Sequence, residues 1–163
     1  RPVPYQIPRT KSDPAALVRA DARGDVLIVN SAGSAIRLCA DRLSLTEERL
    51  MKVSGKAEVI GAVFIHADDE IICATASGYA KRIAVNDVPQ AASPDGDMTK
   101  LMSRSNTVSV CIYRAHQPMW AITSRRILPV DSQAIPPIHP DEKTDHKPIK
   151  LRKGERLLAL ATL

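Results

Sequence analysis

Apolar residues in this chain come in short runs, and turn residues interrupt each run before it reaches the length of an ordinary helix. Val26-Leu-Ile-Val-Asn-Ser-Ala-Gly-Ser-Ala-Ile-Arg-Leu38 overlies Ile71-Ile-Cys-Ala-Thr-Ala-Ser-Gly-Tyr-Ala-Lys-Arg-Ile83 without a gap at a shift of 45 residues. Gly33 falls on Gly78 and Arg37 on Arg82. Each phrase reads as two strands joined by a glycine turn. A third copy, Met119-Trp-Ala-Ile-Thr-Ser-Arg-Arg-Ile-Leu-Pro-Val130, matches the strand before the turn at 47 and the strand after it at 45, which predicts a turn two residues shorter. Leu38, Ile83 and Leu128 then align, as do Asp41, Asn86 and Asp131.

The repeat continues on both sides of the hairpin. Ahead of it lie the apolar runs Ala15–Val18, Gly61–Ile65 and Val108–Ile112. Earlier still lie Leu50–Gly55, Leu101–Asn106 and Ile149–Gly154, each ending in turn residues. One cycle is about four short strands with a period of roughly 40 to 45 residues, the signature of one blade in a propeller-like array. The pattern therefore predicts an all-β fold, a propeller-like repeat of four-stranded blades. About three to four blades fit 163 residues, an open or incomplete array.

Composition sharpens this. Aromatic residues are 3% of the chain and apolar residues 44%, so Val, Ile, Leu and Ala must fill the core. Trp120 stands where the other repeats have a small apolar residue and is expected in that core. Pro89, Pro94, Pro136, Pro137 and Pro140 mark crossings between strands, because proline cannot donate to a central ladder. Residues 14–163 read as a single repeat domain and 1–13 as a linker or boundary segment of a longer protein. No stretch is long and apolar enough to span a bilayer as a helix. Ser44 with Glu47 forms a capping box for a short helix over Leu45–Lys52. The stretches 91–97 and 135–145 have the composition of exposed, mobile loops.

Cys39, Cys73 and Cys111 are odd in number, lack a pairing motif and sit in strand-like runs, so they read as buried free thiols of a reducing, cytoplasmic compartment. The four histidines match no metal spacing with them, and the residues call for no cofactor. No phosphate loop, activated nucleophile or paired-carboxylate site is present, so this chain by itself is not an enzyme. Asp68-Asp69-Glu70 caps a turn. Tyr79, beside Lys81 and Arg82, reads as a packing residue rather than a nucleophile.

The formal charge is +5, which favours an acidic partner. Placement narrows the choice. Arg37, Lys81, Arg82, Arg125 and Arg126 follow the repeated turn, so stacked blades would bring them to one rim, where evenly spaced cations suit a bent phosphate backbone. Lys52, Lys56, Arg104, Lys150, Arg152 and Lys153 are weaker candidates for the same role. Lys143 and Lys147 belong to a second basic group, interleaved with Asp141, Glu142 and Asp145, whose first half reads as a solvated loop.

The phrase Thr75-Ala-Ser-Gly-Tyr-Ala-Lys-Arg-Ile-Ala-Val-Asn-Asp87, with the strands Gly61–Ile65 and Glu70–Ala74 before it, resembles a blade of the C-terminal domain of the bacterial type IIA DNA topoisomerase A subunit, in DNA gyrase and in the ParC-type subunit of topoisomerase IV. The resemblance implies a β-pinwheel whose basic perimeter binds and bends duplex DNA. It also implies a nucleoid-associated setting, and the catalytic core and B subunit of an ATP-dependent holoenzyme as partners. Only the middle copy keeps the family turn Gly-Tyr-x-Lys-Arg. The Gly-rich basic box that the family associates with chiral wrapping is absent, the nearest match being Ser54-Gly-Lys56. That departure favours the topoisomerase IV type, which bends DNA without wrapping it, or only part of a gyrase domain. The blade count is also below the family's usual number. The alternative reading is a β-repeat platform for protein interaction or self-association, with no DNA bound and no membrane partner.

Overall fold

A computed structural model describes residues 15–162 apart from 22, 45, 47, 104, 105 and 145. The segment 1–13, Glu47 of the expected capping box and Arg104 lie outside the described residues. Among the described residues the chain forms ten strands in three antiparallel sheets, with no helix long and apolar enough to cross a membrane.

Each sheet is built on one of the three repeated hairpins. The first sheet holds β1 (Asp25–Asn30), β2 (Ser34–Cys39), β3 (Val59–Ile65) and the two-residue β6 (Thr99–Lys100), in the order β3-β1-β2-β6. The second holds β4 (Glu70–Thr75), β5 (Ala80–Ala84) and β7 (Thr107–Tyr113), in the order β5-β4-β7. The third holds β8 (Met119–Thr123), β9 (Ile127–Val130) and β10 (Leu157–Thr162), in the order β10-β8-β9. Four full strands per blade were expected, and only the first sheet reaches four. In the second, His146 takes the place of the fourth strand with one backbone hydrogen bond, from Ala80 N to its carbonyl at 3.3 Å. None of the sheets closes on itself.

The run before each hairpin does not join that hairpin. β3 precedes the second hairpin in sequence yet pairs with β1 of the first, and β7 precedes the third yet pairs with β4 of the second. Strands are thus exchanged between neighbouring blades. Ala15–Val18 has no described hairpin before it to pair with, forms no strand and leaves Leu17 85% exposed. β3, β7 and β10 lie side by side, and Gly61 keeps β3 close to β7, since a Cβ there would sit 3.1 Å from Val110.

The sheets sandwich apolar layers. Leu27, Val29 and Ala35 of the first sheet meet Ile71, Cys73 and Ile83 of the second. On the other face of the second sheet, Ile72, Ala74 and Ala80 meet Met119, Ala121 and Leu128 of the third. Central strands with a core on each side are buried on both faces, which is why β1 and β4 read as unbroken apolar runs instead of alternating. Trp120 does not enter this core. It points the other way from Met119 and Ala121 and is half-buried on the outward face of the third sheet. Burial pushes the thiols of Cys73 and Cys111 up to about 12, so both are inert packing groups, and all three cysteines are free.

The connectors depart from expectation. No helix forms among the described residues of 45–52. Ser44 N instead donates to the Glu48 carboxylate at 2.6 Å and Thr46 N to Ser44 Oγ at 3.1 Å. The stretch 135–144 is exposed at 137, 139 and 141–143, but buried Ile135, Pro140 and Thr144 anchor it to the second sheet. The third repeat also aligns differently. Its turn closes from Thr123 N to the Arg126 carbonyl where the second closes from Thr75 N to that of Tyr79, so it is shorter by one residue, not two. Asp131 consequently caps the 3₁₀ turn Ser132–Ala134, whereas Asp41 and Asn86 sit inside theirs.

Gly33 and Gly78 adopt φ of 84° and 92°. A Cβ on either would lie 2.5 Å from a carbonyl oxygen, that of Met102 or of Ile149. Gly78→Ala is therefore expected to destabilise the fold by at least the cost of a strained left-handed residue, about 1 to 3 kcal/mol. A lowered urea midpoint would register it, and an unchanged midpoint would contradict the close approach.

Candidate nucleic-acid interface

Polar side chains at equivalent positions organise the three hairpin turns. Asn30 Oδ1 accepts from Ala32 N and Ser34 N, both at 3.1 Å. Thr75 Oγ1 accepts from Tyr79 N at 3.3 Å, and Thr123 Oγ1 from Arg125 N and Arg126 N at 3.2 and 3.0 Å. Local bonds of this kind replace the ladder where the chain reverses.

Each turn is then stitched to the residue that precedes the closing strand of its own sheet. Ser31 N donates to the Glu58 carbonyl at 2.7 Å, Ala76 N to that of Asn106 at 2.9 Å and Ser124 N to that of Arg156 at 2.9 Å. The first two turns also accept from the next sheet's closing strand, Thr107 N to the Ser31 carbonyl at 3.0 Å and Leu157 N to that of Ala76 at 2.8 Å. The segments leading into these strands are therefore drawn along the line of turns. They carry Lys52 and Lys56, then Lys100, then Lys147, Lys150, Arg152, Lys153 and Arg156.

The cations of the hairpins themselves are mostly committed. Arg37 donates from Nε to Asp25 at 2.6 Å and from Nη1 to the Val85 and Val88 carbonyls at 3.0 and 2.9 Å, fastening the first sheet to the 3₁₀ turn that follows the second. Arg82 occupies the same place one repeat later, paired with Glu70 at 3.4 Å and lying over the Tyr113 ring at 4.4 Å. Lys81 is 1% exposed, and its ammonium donates to the Leu101 and Pro140 carbonyls at 3.0 and 2.6 Å. Burial lowers its pKa, but its two carbonyl partners accept a donor that no solvent phosphate can reach. Of the five residues placed on the rim from sequence, only Arg125 is exposed.

The weaker candidates are the accessible ones. Lys52, Lys56, Lys150, Arg152 and Lys153 are all exposed. Arg152 and Lys153 directly precede Gly154, whose φ is 76°, and a Cβ on it would lie 3.4 Å from Arg125 Nη2, so the third turn and this basic segment share one patch. Lys147 reaches over the Tyr79 ring at 4.9 Å, which places its charge at the second turn. Lys100 at the first turn, donating to the Ala32 carbonyl, and Arg156 at the third were missed from sequence. Their signal was position, since Lys100 lies in β6 at the edge of the first sheet and Arg156 immediately precedes β10. The commitment of Arg37 and Arg82 was also legible, because Asp25 and Glu70 stand at the same 45-residue spacing.

Arg126 is held by a different partner. Its Nε donates to the buried carboxylate of Glu155 at 2.9 Å, and its Nη2 to the Lys150 carbonyl at 2.9 Å. Glu155 also receives Thr123 Oγ1 at 2.7 Å and Arg152 N at 2.9 Å. This cluster ties the basic segment 150–156 to the third turn.

Three solved domains share this fold. The C-terminal domain of DNA topoisomerase IV matches with a TM-score of 0.74 at 14% identity, over 88% of this chain and 47% of that one. The fold is a β-pinwheel. The DNA gyrase A C-terminal domain matches with a TM-score of 0.64 at 12% identity, over 86% of this chain and 50% of that one. The E. coli ParC C-terminal domain matches with a TM-score of 0.56 at 17% identity, over 69% of this chain and 50% of that one. At these identities the likeness is one of fold, and the pinwheel chain spans about half the length of each domain. No family model matches the chain, and no curated protein matches it in sequence.

The Arg126 and Thr123 hydrogen bonds, in that order, hold the Glu155 carboxyl down to about 2, from an ordinary value of 4.5. A depressed folded-state value means that the carboxylate's contribution is complete above about 4.5 and is lost as pH falls through about 2. Glu155→Gln is expected to be less stable than the parent near pH 6, with the gap in urea midpoints closing between those two values. A gap that widens as pH falls would contradict the assignment.

Proposed function

We propose that this pinwheel binds duplex DNA along the line of its turns, without regard to base sequence, and holds it in a bend. The observation that carries the reading is the exposed basic series on the segments stitched to the turns: Lys56 and Lys100 at the first, Lys147 and Lys150 at the second, and Arg125, Arg152, Lys153 and Arg156 at the third. Lys52 extends the series, and Arg104 lies outside the described residues. Flexible cations spaced along a curved edge contact phosphates and release counterions, and they carry no base-reading geometry. Smoothly bending 20 to 30 base pairs costs on the order of 1 to 6 kcal/mol, which several such contacts offset at low salt.

The shared fold with C-terminal domains of DNA topoisomerase IV and DNA gyrase A supports the same reading. On it, the chain is the non-catalytic, DNA-presenting part of a type IIA topoisomerase A subunit in the cytoplasm. The catalytic core and B subunit of the holoenzyme are its partners. Arg37, Lys81, Arg82 and Arg126 then serve the interface indirectly, by fixing the sheets and turns on which the exposed cations stand.

The triple variant Lys150→Ala, Arg152→Ala, Lys153→Ala removes side chains only, since the contacts of 150 and 152 within the fold are made by backbone. It is expected to weaken binding to all duplexes alike and to flatten the log–log salt dependence by about 0.9 for each phosphate no longer neutralised. Parental affinity and slope in a fluorescence-anisotropy titration would overturn the interface.

A further inference from the structure

We propose that the outward face of the third sheet docks the outward face of the first sheet in a second copy of this chain, so that two chains form one closed array. The two internal interfaces supply the pattern. In each, a sheet presents the inner pair of its first hairpin strand, Leu27 and Val29 or Ile72 and Ala74, to the next sheet. That next sheet answers with its own hairpin strand and with residues of its own connector. These are Val88, Leu101 and Met102 in one interface and Ile135 and Ile149 in the other.

Both halves of the same pattern recur at the ends of the stack, the third sheet's exposed and the first sheet's closed over by its own connector alone. On the third sheet, Trp120 and Ile122 stand on the face opposite to Met119 and Ala121, as Ile72 and Ala74 stand opposite to Ile71 and Cys73. Among the described residues no sheet covers them. Ile127 beside them is 65% exposed, Leu158 is 45% exposed and Pro129 is exposed, an apolar surface of the kind that marks an interface. On the first sheet, Val26, Ile28, Ile36 and Leu38 are backed by the connector residues Leu43, Leu50 and Met51, the answering half without a presenting sheet. Val26 and Ile28 retain 7% and 8% exposure where their repeat equivalents Ile71 and Cys73 have none.

The interface is heterologous, because the two faces belong to different sheets, and a heterologous contact closes when its rotation allows. Pairing two copies gives two identical junctions and six sheets. The inference is independent of DNA binding.

Sedimentation equilibrium of the chain without DNA tests it. The expected result is a mass twice that of the chain. Ile127→Asp, at a position too exposed in the single chain to affect its folding, weakens association about tenfold or more by placing a charge in the apolar junction. Ala62→Glu, next to Ile28 on the first sheet's outward face, weakens it similarly. Because each variant keeps one intact face, mixing the two restores a single junction and hence a dimer. A parent chain monomeric at all concentrations overturns the proposal, as does Ala62→Glu alone remaining fully dimeric, the mark of two third sheets packed face to face. Masses growing without limit overturn the closed pair.

Discussion

The constraint on which the rest depends is the bonding of every hairpin turn to chain that comes later in sequence. A turn at the edge of an isolated sheet would leave its backbone groups to water. Here the amides of Ser31, Ala76 and Ser124 are each satisfied by the residue that enters a closing strand, and the carbonyls of Ser31 and Ala76 by the strand of the next sheet. This bonding fixes the angle at which one sheet follows another. It also requires glycine where the passing connector lies within van der Waals distance of the turn, as at Gly33 beside Met102 and Gly78 beside Ile149. The third turn lacks glycine and is shorter, and the Glu155 cluster with Thr123 and Arg126 does the equivalent work.

The same constraint sorts the positive charges. An arginine or lysine on a hairpin strand is enclosed by the next sheet or its connector, and an enclosed charge must be paired or hydrogen-bonded. Arg37 and Lys81 reach carbonyls of connectors outside their own sheets, whereas Arg82 pairs with Glu70 and covers Tyr113 within its own. The connector cations Lys52, Lys56, Lys150, Arg152 and Lys153 are instead exposed. Density of basic residues around the repeated motif was thus a poor guide to accessibility, and the connectors were the better place to look.

The repeat itself was legible because strands buried on both faces leave continuous apolar runs between turn residues, at a spacing that side-chain substitution has not blurred in the first two copies. Strand exchange was not legible. Whether Gly61–Ile65 pairs with the hairpin before or after it depends on a contact distant in sequence, and local pattern is the same in either case. The third copy misleads for a related reason: with no glycine to anchor the turn, Leu128 aligns by type where the turn's backbone bond from Thr123 to Arg126 sets the register. Trp120 reads as inward because it is large and apolar, yet its neighbours Met119 and Ala121 already occupy the inward face of β8. Lys81 reads as outward because it is charged. Its acceptors, the carbonyls of Leu101 and Pro140, come from two connectors that no local pattern associates with it.

Binding of the chain to a short duplex of arbitrary sequence, followed across a salt series with dyes on the two DNA ends, tests the central claim most directly. The account predicts affinity that falls steeply with salt, indifference to base sequence and a shortened end-to-end distance in the complex. Absence of binding at low salt, or binding with the duplex left straight, would contradict it.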